Sequence, residues 1–243
     1  MTEMIEVIIP TRDKPLHECF RGLREQTPLI STVTVVKDDG RGQTRIRYEG
    51  ALASKADFVL LLDDDVEMRP GVVKAYLSKI REGFDAVCGE TNPKPQNRFS
   101  ERVARYMTNP STPFYPVGCT LWRRERFIQI MEEVGVGIHK HLGDVTLEKR
   151  INEGGYKVVK VPTAVSDHYW ATSPSKFFKK RLGYGVAIGE MYYGEGRLGR
   201  QLVKWAGAIP LSTGYGVFLY RLATWIGMVK FAVDLYALKN ETV

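Results

Sequence analysis

Three consecutive aspartates, Asp63, Asp64 and Asp65, follow directly on the apolar run at 59–62. Three carboxylates at the end of a strand repel one another, and a divalent cation relieves that repulsion. Hard oxygen donors suit manganese or magnesium, and such an ion can also hold a diphosphate. In open α/β sheets ligands gather beyond the carboxyl ends of strands, where this triplet lies. The same triplet also suits a solvated turn whose acids cap the helix that follows, and taken alone it leaves both readings open.

The elements that must position these residues are legible in the first two thirds of the chain, where short β-branched runs alternate with helical patterns. That alternation predicts an α/β fold with a mainly parallel central sheet flanked by helices. The runs EVIIP (6–10), TVTVV (32–36), DFVLLL (57–62) and DAVCG (85–89) are the first strands. Leu16, Phe20 and Leu23 mark the apolar face of a helix between the first two, and Pro70 opens another with Val73, Leu77 and Ile80 inward. Residues 117–122 read as a strand and 123–134 as a helix. Residues 144–155 read as a helix closed by Gly154 and Gly155, with the strand YKVVKV after it.

At 243 residues and 44% hydrophobic, the chain can bury a core for one α/β domain, which excludes disorder as an overall description. Cys19, Cys88 and Cys119 are odd in number and lack C-x-x-C spacing, so they read as reduced thiols in a cytoplasmic protein. The start, MTEMIEVIIPTRDKP, places acids before its apolar run and reaches a proline early, unlike a signal peptide.

The net charge of +7 is concentrated in the tail, where ten basic and four acidic residues follow Pro174. An anionic partner is the expectation, either a membrane surface or a nucleic acid. Residues 205–220 are uncharged but include Gly207, Pro210, Gly214 and Gly216. They fall short of the roughly 20 apolar residues a spanning helix needs. Trp205, Tyr215, Phe218, Tyr220, Trp225 and Tyr236, with basic neighbours, favour helices lying on a membrane over helices crossing it.

The segments VIIPTRD, VVKDDG, LLLDDD, VGCTLW, LGDVTLEKRI and SDH occur in the order and rough spacing of family 2 glycosyltransferases. Over residues 4–170 the chain resembles that family. The resemblance implies a GT-A fold, Rossmann-like, with a catalytic domain over 1–172, while the basic, aromatic-rich segment 173–243 reads from its own composition as a helical amphipathic tail. The nucleotide-sugar half is about 1–90 and the acceptor half about 91–172. It implies metal-dependent, inverting transfer of a sugar from a nucleotide diphosphate sugar to a hydroxyl, with Mn2+ or Mg2+ as cofactor. A UDP-sugar is preferred and a GDP-sugar is compatible.

By that resemblance Pro10, Thr11 and Arg12 border the base, and Asp39 accepts a hydrogen bond from it, as suits a uracil or guanine ring N–H. Arg45 and Arg47 stand near the diphosphate. Asp63 or Asp64 contacts the ribose hydroxyls, Asp65 ligates the metal and His168 completes the metal site. Asp144 is the general base that takes the acceptor's proton. Gly143 and Asp144 stand where relatives carry Glu-Asp, a departure that bears on acceptor geometry. His139 and His141 lie nearby, in a stretch that also reads as a solvated loop. The Gln-x-x-Arg-Trp motif of processive synthases is replaced by KFFKKRLGYG, so single addition is expected. Lys179, Lys180 and Arg181 there suit a diphosphate or lipid phosphate, or a solvated helix face.

Rival functions fit less of the sequence. A nucleotidyltransferase would carry a glycine-rich loop after the first strand, and IIPTRDKP has no glycine. A nucleic-acid-binding protein leaves the acidic triplet unexplained, so no nucleic-acid partner is expected. A non-catalytic nucleotide-sugar-binding protein that docks on membranes fits nearly as much as the enzyme does. The expected location is cytoplasmic and peripheral on the inner face of the cell membrane, with a lipid-linked acceptor.

Overall fold

Ile5–Thr11 (β1) and Phe58–Leu62 (β3) are apolar without alternation because both of their faces are covered, as central strands of an α/β sheet require. Thr32–Lys37 (β2) lies at the sheet's edge and is largely exposed. The computed structural model describes residues 3–11, 16–107, 117–135, 143–170, 172–208 and 215–241. It contains a seven-stranded sheet in the order β2-β1-β3-β6-β5-β7-β4, completed by Val66–Met68 (β4), Ala86–Pro95 (β5), Cys119–Arg123 (β6) and Val158–Trp170 (β7). β1 pairs in parallel with β2 and β3. β6 runs against both β3 and β5, so β5 shares the direction of β1, β2 and β3.

Helices cover both faces. His17–Arg24 (α1) and Val72–Arg81 (α3) contribute to one core, built on Val7, Ile9, Leu60, Leu62 and Tyr76. Gln43–Ala53 (α2) crosses close to β1, its Gly50 facing the Ile8 side chain. On that face Arg124–Val134 (α5) and Gly143–Gly154 (α6) bury Phe127, Ile130, Leu147 and Ile151 against Ile8, Leu61 and Trp122. Truncating a residue such as Leu61 or Phe127 to alanine costs about 2–5 kcal/mol.

The chain divides into two units, one of residues 1–94 with 110–170 and one of 95–109 with 171–243. The second unit is helical, as expected for the tail, and comprises Arg98–Met107 (α4), Pro174–Gly194 (α7), Leu198–Ala208 (α8) and Tyr215–Glu241 (α9). Ser173 caps α7 by accepting from the Lys176 N–H at 3.3 Å, with Pro174 in the first turn. α7 and α9 approach closely because Gly185 and Gly227 have no Cβ; one at either position would collide with the opposing backbone. Arg181 lies among the rings of Phe177, Tyr184 and Tyr220, with ring centres 4.7–5.4 Å from its guanidinium. Among the described residues no helix is long and apolar enough to cross a membrane.

Candidate functional site

The carboxyl ends of β1, β2 and β3 converge, and the loops beyond them carry the acidic residues. Each aspartate of the triplet has a different partner. Asp63 pairs with Arg47 of α2, whose side chain is only 3% exposed. Asp64 is buried and accepts a hydrogen bond from the Thr11 hydroxyl at 3.0 Å, tying the end of β3 to the end of β1. Asp65 meets His168, with Oδ1 3.1 Å from Nε2. The fan of directions is how three adjacent like charges avoid one another.

Gly118 holds this turn from below. Its carbonyl accepts the Asp63 N–H at 2.7 Å, and its φ of +101° is one that side-chain-bearing residues rarely adopt. A Cβ there would lie 3.1 Å from the Asp63 carboxylate. Below the triplet, burial drives the Cys19 thiol far above its ordinary value, with nearby Cys119 and the negative potential of all three aspartates adding to it. The described cysteines are free and buried, which agrees with reduced thiols.

His168 reaches Asp65 because β4 pairs antiparallel with β7 in a register that sets Val66 opposite His168 and Glu67 opposite Asp167. The Tyr169 N–H donates to the Asp65 carbonyl at 2.8 Å and extends that ladder. Ligands at right angles and about 2.1 Å from an octahedral cation lie about 3.0 Å apart, so the Asp65 and His168 atoms are spaced to share one ion. Carboxylate and imidazole together suit manganese. Among the described residues no cluster of three or more His, Cys, Asp or Glu side chains is gathered. With Asp65 and His168 as its protein ligands, such an ion would leave its remaining positions to water and phosphate oxygens. The donor set therefore fits the ion.

The nucleotide-side residues are distributed unevenly. Pro10 and Thr11 end β1, and Arg12 lies outside the described residues. Asp38 is buried and accepts the N–H groups of Gly40 and Gly42, so it shapes the turn after β2. Asp39 is exposed, and its carboxyl is held below the ordinary range by the hydrogen bond from the Arg41 side chain. Arg45 lies on the exposed side of α2 with Glu49 at 2.9 Å, while Arg47 points inward to Asp63. The Arg47 Nε is buried without a hydrogen-bond partner, a donor group left for an acceptor.

Asp144 is the second residue of α6, and its side chain lies outside the described residues, as do His139 and His141. The helix itself is docked firmly. Leu147 and Ile151 are buried, Arg150 Nε meets Glu133 of α5 at 2.8 Å, and the Tyr156 hydroxyl donates to the same carboxylate at 2.9 Å.

Sequence reasoning missed the Thr11–Asp64 bond, the role of Gly118, and the groups around His168: Arg21, Glu67 and Tyr169 on one side, Arg69, Asn92 and Asp167 on the other. Asp167 stands within the SDH motif that drew attention to His168 and Tyr169 directly follows it, so their alternation along a strand was the available signal.

Residues 33–138 match the sequence profile of the family described as Glycosyl transferase family 2. Over that stretch, somewhat less than half of its length, the chain is similar to family 2 glycosyltransferases. Its fold agrees with solved structures at low identity. One is a glucosyl-3-phosphoglycerate synthase from Mycobacterium tuberculosis, in complex with Mn2+ and UDP-glucose; it shares 14% identity, with 79% of this chain and 78% of that one covered and a TM-score of 0.53. Another is a mannosyltransferase from Pyrobaculum calidifontis in complex with GDP-Man and Mn2+, at 15% identity, covering 97% of this chain and 75% of that one, with a TM-score of 0.51. No curated protein matches the chain significantly in sequence.

Proposed function

We propose that this glycosyltransferase moves a single sugar from a nucleotide diphosphate sugar, with UDP preferred to GDP, to a hydroxyl acceptor by inverting, metal-dependent displacement. The observation that carries the reading is the Asp65–His168 pair at 3.1 Å beside the buried Arg47–Asp63 pair, at the carboxyl end of β3. The complexes of the two structural neighbours, with UDP-glucose or GDP-Man and Mn2+, support the same class of donor. Asp65 and His168 would hold Mn2+, or Mg2+ in its place, and the ion would supply charge neutralisation at the diphosphate.

The side chains then divide the work. Pro10, Thr11 and Arg12 border the base, and Asp39 accepts from its ring N–H. Asp63, oriented by Arg47, contacts the ribose hydroxyls, with Asp64 held beside it by Thr11. Arg47 presents its Nε to a phosphate oxygen, with Arg45 near the mouth of the site. Asp144, mounted at the start of α6, removes the proton from the acceptor hydroxyl. The new bond from that oxygen to the anomeric carbon forms as the bond to the diphosphate oxygen breaks, which inverts the configuration.

The acceptor we assign is lipid-linked. Arg200, Val203 and Lys204 are exposed together along α8, with Phe218 of α9 40% exposed. Basic and apolar groups on one surface suit an anionic membrane, each cation adding about 1 kcal/mol. The protein would then act at the inner face of the cell membrane, with 1–172 as the catalytic domain and 173–243 as the docking segment.

The test is sugar transfer from a panel of labelled nucleotide sugars to lipid-phosphate and soluble acceptors, with Mn2+ and with chelator. A UDP-sugar should be used only with metal, and proton NMR should show an inverted anomeric centre. Asp144→Asn should bind donor normally and lose at least about a hundredfold in rate. Full activity in that variant, or a retained anomeric configuration, would contradict the assignment.

A further inference from the structure

Across the β4–β7 ladder, two acidic residues stand directly opposite each other: Glu67 on β4 and Asp167 on β7. Like charges in that relation are destabilising, and both carboxylates are mostly shielded from water, with side-chain exposures of 18% and 13%. An ordinary strand pair has no reason to keep them. Each is compensated from a different part of the fold.

Glu67 receives the Arg21 guanidinium from α1 through two nitrogens and the Tyr169 hydroxyl at 2.7 Å, and Arg21 also donates to that hydroxyl at 3.0 Å. Asp167 receives Arg69, from the turn between β4 and α3, at 2.9 Å and Asn92 of β5 at 2.9 Å, with Lys94 Nζ 3.8 Å away. The two anchored residues of β7, Asp167 and Tyr169, are those on either side of His168. Side chains alternate along a strand, so both anchors lie on one face and the imidazole on the other.

We propose that the Arg21–Glu67–Tyr169 and Arg69–Asp167–Asn92 groups are a paired clamp whose function is to position His168 opposite Asp65 for metal binding. The costly Glu67–Asp167 opposition draws cations from α1, the β4–α3 turn and β5 onto the two neighbours of one ligand, so the imidazole cannot rotate with its strand or drift from the carboxylate. Tyr169, Glu67, Asp167 and Arg69 are positioning residues, acting through His168 and not by contact with donor or acceptor.

This inference rests on the metal reading, and the experiment separates the two. Mn2+ alone is titrated into the whole protein without nucleotide, and free and bound ion are read by electron paramagnetic resonance alongside thermal melting. Tyr169→Phe and Asp167→Asn should each weaken Mn2+ binding about tenfold, the lower end of what outer supporting groups contribute at metal sites, and should broaden the bound-ion spectrum. Glu67→Gln keeps an acceptor for the Tyr169 hydroxyl and should fall between them and the unmodified protein; it carries the test if either of the others does not fold. Melting shifts with Mn2+ affinity held within twofold would make the groups structural only and overturn the clamp. His168→Ala is the control. If it weakens Mn2+ binding and the clamp variants do not, this inference alone fails; if it too binds Mn2+ normally, the metal reading fails and the clamp with it.

Discussion

Arg47 is a cation that the fold has removed from water, and its worth depends on Asp63. Removing one member of a buried pair leaves the other uncompensated, at a cost of about 3–5 kcal/mol where both are dry. Asp63 is 27% exposed on its side chain, so the cost falls somewhat below that range. Arg47→Met should therefore lower stability to urea by about 2–3 kcal/mol. Adding Asp63→Asn should recover much of that loss without recovering nucleoside diphosphate affinity. Recovery of both would make the pair a structural tie and remove Arg47 from the donor site. At this scale the sequence was informative where motifs named residues that the structure brings together, as with Asp65 and His168. It was uninformative where a partner decided the role: nothing local tells Arg45 from Arg47, yet one faces Glu49 at the surface and the other is buried on Asp63.

At the scale of elements, the strands with continuous apolar runs were legible to within a residue or so, because burial on both faces leaves no other reading of IEVIIPT or FVLLL. α2 was not foreseen. Its inward face carries Ile46, Arg47, Gly50 and Ala51, and a buried arginine beside a glycine breaks the apolar period that marks a helix. The polar second halves of β5 and β7 hid their length, and β4 is three residues long with no signal of its own. That β6 runs antiparallel between β3 and β5 is a property of pairing and leaves no trace in any single segment.

The seating of α6, which carries Asp144, is testable through Tyr156. Burial first, and then the Glu133 carboxylate, push the Tyr156 hydroxyl up to about 12. The unfolded chain releases that proton near pH 10, so the folded state holds a proton the unfolded state has lost. The contribution is complete below about pH 10 and is lost as pH rises towards 12. Tyr156→Phe should cost about 1 kcal/mol at neutral pH and should flatten the decline in melting temperature above pH 10. An unchanged alkaline slope would mean that this hydroxyl does not hold the helix.

For the whole molecule, the charge asymmetry foreseen in the tail acquires a carrier in the second unit, whose helices expose Val203, Val233 and Phe218 among basic residues. Vesicle flotation tests the consequence. The protein should float with anionic liposomes at low salt and be released as salt rises, and a chain ending before Leu202 should float less. A protein that stays in solution under those conditions would leave a soluble acceptor as the better assignment. The central claim, that the fan of aspartates with His168 is a metal-dependent nucleotide site, has a more direct test. Calorimetric titration of UDP into the protein with Mn2+, and again in excess chelator, should show binding only with the metal, and Asp65→Ala should abolish the difference by losing the metal-dependent binding. UDP that binds equally well in chelator, or to Asp65→Ala in the presence of Mn2+, would contradict the account.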